Sequence, residues 1–228
     1  MQFSRYAVYH TCPPGPLADF GAAWLGWDVA RGKDTAAPEI AGLPDDPHNL
    51  TATPRKYGMH GTIKPPFRLA PGATPDDLAR CFAQLCREMT PITLDGLALG
   101  PLGRFLALTP EGDTRALSAL ADAAVTRLDP LRAALSPLEL ASRRNARLSP
   151  VQNALLLRWG YPYVFEAFRF HITLTDRLSR TNLTTTHAAL MPHLAPLLPR
   201  PYVIDALTLC GEDEQGRFHA LHRIPFGE

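Results

Sequence analysis

Two short runs, Met59-His60-Gly61-Thr62-Ile63-Lys64 and Phe170-His171-Ile172-Thr173-Leu174-Thr175, constrain this chain more than any other feature. Each is His-x-Thr inside an apolar, β-prone stretch, and on a strand alternate side chains share one face. His60, Thr62 and Lys64 are therefore expected to project together, and His171 and Thr173 likewise, with Thr175 as a strand-end residue. One such motif carries little weight, because short patterns recur by chance. The residues downstream of each copy carry more. Ile92 lies 32 residues after His60, and Val203 lies 32 residues after His171. Gly103-Arg104-Phe105-Leu106-Ala107-Leu108 is then answered by Gly216-Arg217-Phe218-His219-Ala220-Leu221. Strand, helix, strand, turn and strand in one order, twice, argue for an internal duplication. Its expected product is two similar lobes facing each other, with one histidine from each.

The remaining elements fit around this duplication. Phe3 to His10 alternates and reads as a strand, and Leu17 to Val29 has the spacing of a short amphipathic helix. Ala30 to Arg55 reads as one long irregular loop, for which a flap over the site and a surface insertion both stay open. Thr74-Pro75 opens a helix from Asp76 to Met89, and Asp113 to Leu128 carries Leu117, Leu120, Ala124 and Leu128 on one stripe. Ile92 to Leu99 with Arg104 to Thr109, and Tyr202 to Cys210 with Arg217 to Ile224, read as hairpins. Ser149-Pro150 caps a helix from Val151 to Trp159 that Gly160 stops, and a further helix covers Asn182 to Leu197. The fold class is α+β: two pseudo-symmetric lobes, each an antiparallel sheet with helices on its outer side, meeting at a central cleft. The chain of 228 residues is expected to form one domain. Lobe 1 covers about 57–128 and lobe 2 about 168–226, with the N-terminal strand and helix and the 129–167 connector packed on them.

At Tyr57-Gly58-Met59-His60-Gly61-Thr62-Ile63-Lys64-Pro65-Pro66-Phe67, and at Arg158-Trp159-Gly160-Tyr161-Pro162-Tyr163 with Phe168-Arg169-Phe170-His171 after it, the chain resembles the 2H phosphoesterase superfamily, named for its paired His-x-Thr/Ser motifs. It is most similar to the bacterial branch of phosphonate-metabolism proteins of unknown function. The resemblance spans nearly the whole chain. It implies a phosphoesterase and makes a ribose cyclic phosphate, or another phosphonate-linked sugar phosphate, an attractive substrate.

The residues themselves suit that chemistry. Opening a cyclic phosphodiester needs a base for the attacking water and an acid for the departing alkoxide. Imidazole does either near neutrality. His60 and His171 are the expected catalytic pair, which of them is the base being left open by the sequence. Thr62 and Thr173 are expected to hydrogen-bond the non-bridging oxygens and Lys64 to add a cation. Lys56, Tyr57, Arg143 and Arg144 are further candidates for binding substrate, with Arg147 beside them. No metal and no cofactor enter this scheme: Cys12, Cys81, Cys86 and Cys210 have no zinc spacing, and His219 and His222 belong on opposite strand faces. A net charge of +1 argues against large nucleic acid and anionic membrane as partners. The expected partner is a small phosphorylated substrate, the default state a monomer, and the location the cytoplasm, since no leader or membrane span is visible. Two other functions stay open: a module that binds a phosphorylated ligand or RNA end without turnover, and ligation or phosphoryl transfer at RNA ends.

Overall fold

The computed structural model describes residues 2–144 and 147–227. Its strands are β1 (Arg5–Thr11), β2 (Trp27–Asp28), β3 (Lys33–Asp34), β4 (His60–Phe67), β5 (Ile92–Leu94) and β6 (Gly96–Leu102). They continue with β7 (Phe105–Glu111), β8 (Ile172–Thr173), β9 (Tyr202–Ile204), β10 (Ala206–Glu212) and β11 (Phe218–Pro225). The helices are α1 (Pro16–Leu25), α2 (Pro47–Leu50), α3 (Pro75–Arg87), α4 (Arg115–Leu128), α5 (Pro137–Arg144), α6 (Pro150–Trp159) and α7 (Arg180–Leu194).

Seven strands form one antiparallel sheet in the order β11-β10-β1-β4-β8-β7-β6. Its middle is a narrow seam, where β4 and β8 meet through the single pair Gly61 and Ile172. On one side of the seam lie β11, β10, β1 and β4; on the other lie β8, β7 and β6. The sheet thus has two halves, and each draws strands from both of the stretches expected to form separate lobes. β4 of the first repeat shares its half with the β10–β11 hairpin of the second, while β8 of the second sits beside the β6–β7 hairpin of the first. The stretches 57–128 and 168–226 thus exchange hairpins in space. The two repeats meet where β5 pairs with β9, equivalent positions of each, in a separate two-stranded sheet.

Helices cover one face. α3 and α4 pack on β4, β10 and β11, and α7 packs on β6 and β7. Leu78, Phe82 and Leu85 of α3 and Leu117, Leu120, Ala124 and Leu128 of α4 are buried there, as the predicted stripe requires. Burying a side chain such as Phe82 contributes roughly 1.5–3 kcal/mol. Thr74 and Asp77 form a capping box on α3, and Ser149 with Gln152 forms another on α6. α1 stops at Leu25, short of the expected Val29, because Gly26 takes a left-handed φ of 76° and turns Trp27 into β2. The segment 30–55 is not one irregular loop. It contains β3, α2 and the start of a 3₁₀ turn, Pro54–Tyr57, and it is pinned by Arg55, which donates to the Leu25 carbonyl at 2.8 Å. The opposite face carries a smaller cluster of Ala7, Tyr9, Trp27, Val29, Cys210 and Phe218, packed against Tyr57.

Candidate active site

The seam fixes the geometry of the two motifs. With Gly61 opposite Ile172 on antiparallel strands, His60 lies opposite Thr173 and Thr62 lies opposite His171. The two histidines are then diagonal neighbours, with backbones about 7–8 Å apart in regular geometry. All four side chains line one cleft of about 780 Å³ on the face opposite α3, α4 and α7. Gly61 permits this close seam: a Cβ there would run into the Phe170 ring.

Both imidazoles are held alike. Nδ1 of His60 donates to the Gly58 carbonyl at 2.9 Å, and Nδ1 of His171 donates to the Arg169 carbonyl at 2.8 Å. A carbonyl only accepts, so the ring proton of the neutral form sits on Nδ1 and leaves the Nε2 lone pair for the cleft. The Thr62 hydroxyl lies 3.2 Å from Nε2 of His60. The His60 ring lies 3.9 Å from that of Tyr9 and 5.7 Å from that of Tyr57. Burial lowers its pKa to about 4; the Gly58 bond opposes this, and repulsion from His171 adds to it. His60 is therefore neutral at pH 7. His171 sits nearer the mouth, with the Phe105 ring at 5.7 Å.

Of the further candidates, Tyr57 and Arg143 line the cleft. Arg143 lies over the Tyr161 ring at 5.1 Å. Lys64 does not join them. A β-bulge between the Val8–Lys64 and Tyr9–Thr62 pairs breaks the alternation after Ile63 and turns Lys64 to the helix side. There it is 2% exposed, its ammonium donates to the Val125 carbonyl of α4 at 3.2 Å, and burial lowers its pKa to about 8. Lys56 is exposed and lies outside the cleft lining. Arg144 is exposed and donates to Asn153 at 3.1 Å; Arg147 is exposed with a φ of 50°. Thr175 accepts from the Leu106 amide at 2.9 Å, which ties β8 to β7. His219 faces Asp213 at 2.7 Å, and among the described residues no group of three His, Cys, Asp or Glu side chains is placed to hold a metal ion. Sequence reasoning missed Tyr161, Tyr163, Phe105 and Arg169 as cleft walls. Only the aromatic run Tyr161-Pro162-Tyr163 carried a signal for them.

The chain belongs to the family described as Protein of unknown function (DUF1045), whose model matches residues 62–219, a span that takes in Thr62, His171 and Thr173. It is 40% identical over 98% of its length to a protein of Janthinobacterium sp. (strain Marseille) named ribose 1,5-bisphosphate phosphokinase PhnN. It is 36% identical over 96% of its length to one of the same name from Laribacter hongkongensis (strain HLHK9). The match covers 51% of each, so the chain spans about half the length of these relatives. Among solved structures it is similar to E. coli LigT complexed with 3′-AMP (TM-score 0.47, 16% identity, 100% of both chains). It is also similar to TT0787 of Thermus thermophilus (TM-score 0.45, 16% identity, 98% of both chains). Among the described residues no helix is long and apolar enough to cross a membrane.

Proposed function

We propose that this chain is a metal-independent phosphoesterase that opens a small cyclic phosphodiester on a sugar or nucleotide, with His60 as base and His171 as acid. One observation carries the reading: two imidazoles, one at the start of β4 and one just before β8, each with Nδ1 tied to a backbone carbonyl, present Nε2 to the same cleft. His60 Nε2 takes a proton from the attacking water as its oxygen bonds to phosphorus. The ring P–O bond breaks on the far side, and the departing oxygen takes the Nε2 proton of His171, which enters the step as the imidazolium because its Nδ1–H is held by the Arg169 carbonyl. The neutral state of His60, imposed by its burial, supports it as base. Thr62, whose hydroxyl turns away from the His60 Nε2 lone pair as the water takes its place there, and Thr173 donate to the non-bridging oxygens as charge builds on them.

The substrate class draws on the relatives. Water opening a 1,2-cyclic phosphate of ribose 5-phosphate at the O2 bond yields ribose 1,5-bisphosphate, the compound for which those relatives are named. Arg143, aligned over Tyr161 in the cleft wall, suits a second phosphate on such a molecule, and Tyr57 suits the sugar face. The test is phosphorus NMR with 2′,3′-cyclic nucleotides, ribose 1,2-cyclic phosphate and its 5-phosphate, in the presence of chelator. Turnover is expected to survive chelation and to fall at least 10³-fold in both His60→Ala and His171→Ala. A ligand that binds but stays unchanged for hours in the wild-type protein would favour a non-catalytic phospho-ligand or RNA-end module instead. Joining of RNA ends in place of hydrolysis would favour a ligase or phosphoryl-transfer role.

A further inference from the structure

We propose that the Tyr9 hydroxyl is a substrate-contacting donor that hydrogen-bonds an oxygen of the phosphoryl group held between His60 and His171. The inference rests on reading that pair as the phosphate site. Tyr9 stands directly across the β1–β4 ladder from Thr62, so a row of cleft-lining positions runs from Tyr9 on β1 through Thr62 on β4 toward His171, just before β8. Its ring lies against the His60 imidazole, 3.9 Å between centroids and tilted by 32°, and against Phe218 at 5.6 Å.

The side chain is 0% exposed against the His60 ring and belongs to the cleft wall, so a phosphoryl oxygen reaches its hydroxyl only as the packing over it shifts. That hydroxyl has no hydrogen-bond partner among the described residues. Buried phenols ordinarily find one, because an unpaired buried O–H gives up its water without return. Phenylalanine would pack against His60 and Phe218 equally well without that loss. Ala7, Val29 and Phe218 of the same buried cluster are apolar, and although Cys210, Tyr57, Arg5 and Glu212 are near enough to act on the phenol electrostatically, none of them hydrogen-bonds its hydroxyl. Within the cleft the acceptor to be expected is the one the histidines and threonines are arranged for. Burial pushes the phenol pKa well above its usual value, so the group stays a donor throughout the neutral range. A phosphoryl group has only acceptor oxygens, and Thr62 and Thr173 together supply two donors. Tyr9 adds a third from the His60 side.

The test is Tyr9→Phe, compared with wild type in thermal unfolding and in titration with inorganic phosphate followed by calorimetry and phosphorus NMR. The variant is expected to melt at the same temperature or higher without ligand, to bind phosphate about tenfold more weakly, and to gain a smaller thermal shift from it. Phosphate affinity equal to wild type, or a lower melting temperature without ligand, overturns the proposal, since the hydroxyl would then be served by solvent or by the fold. These readouts need no turnover: a wild-type protein that binds phosphate through Tyr9 but hydrolyses nothing sinks the catalytic reading and leaves this one standing. Wild type without saturable phosphate binding overturns both.

Discussion

His60 and His171 hold the same bond at the same place: Nδ1 to the carbonyl two residues upstream. That bond depends on a turn just before each strand, which for His60 is set by Gly58 at a φ of 67°. The rings differ in surroundings. His60 is enclosed by Tyr9 and Tyr57 and its pKa is lowered to about 4, whereas His171 meets only the edge of the cleft. A base with that pKa keeps its lone pair through mild acid. The acid limb of kcat/KM is accordingly expected near pH 4, well below the roughly 6.5 of an unperturbed imidazole. The profile of whichever cyclic phosphate turns over, taken between about pH 4 and 8 on folded protein, decides this. A limb near 6.5 would remove His60 from the base role.

At the scale of elements, β4 shows what a sequence reveals and what it hides. The strict period of two put His60 with Thr62 and His171 with Thr173, and the structure sets each pair on the cleft face. The same period extended to Lys64 fails, because the bulge after Ile63 inserts an extra residue that no local pattern announces. Tyr9 was unreadable for a different reason: its neighbour across the ladder, Thr62, is 53 residues away, and pairing partners are not encoded locally. The hairpin exchange hid behind the duplication, since two equal repeats are compatible with hairpins kept or traded. Arg143 owes its place to the α5 connector, which belongs to neither repeat. The bulge makes a prediction of its own. Lys64→Met, only two residues beyond Thr62, is expected to leave kcat/KM within about threefold of wild type, because the ammonium serves the Val125 carbonyl on the far side of the sheet. A folded Lys64→Met protein with a tenfold loss would show that the lysine reaches substrate after all.

At the scale of the whole molecule, one face of the sheet holds the cleft and the face covered by α3, α4 and α7 holds the core, and a buried imidazole ties core stability to pH. His10, on β1 beside Tyr9, is 0% exposed, its Nε2 lies 2.7 Å from the Tyr202 hydroxyl, and burial lowers its pKa to about 4. In the unfolded chain the same ring titrates near 6.5. Between these values the unfolded state binds more protons than the folded one, so stability is fully present above about pH 6.5 and declines as pH falls toward 4. For His10 alone the loss is on the order of 3 kcal/mol across that window, and His60 acts in the same direction. Carboxylates with lowered pKa, such as Asp113 and Glu139 at about 2, exert their effect lower still. Urea unfolding midpoints are therefore expected to drop steadily from about pH 6.5 to 4, with the slope reduced by roughly half in His10→Asn. A midpoint constant over that range would mean that His10 accepts a proton in the folded core, and that the seam between core and cleft is more open to water than its packing implies.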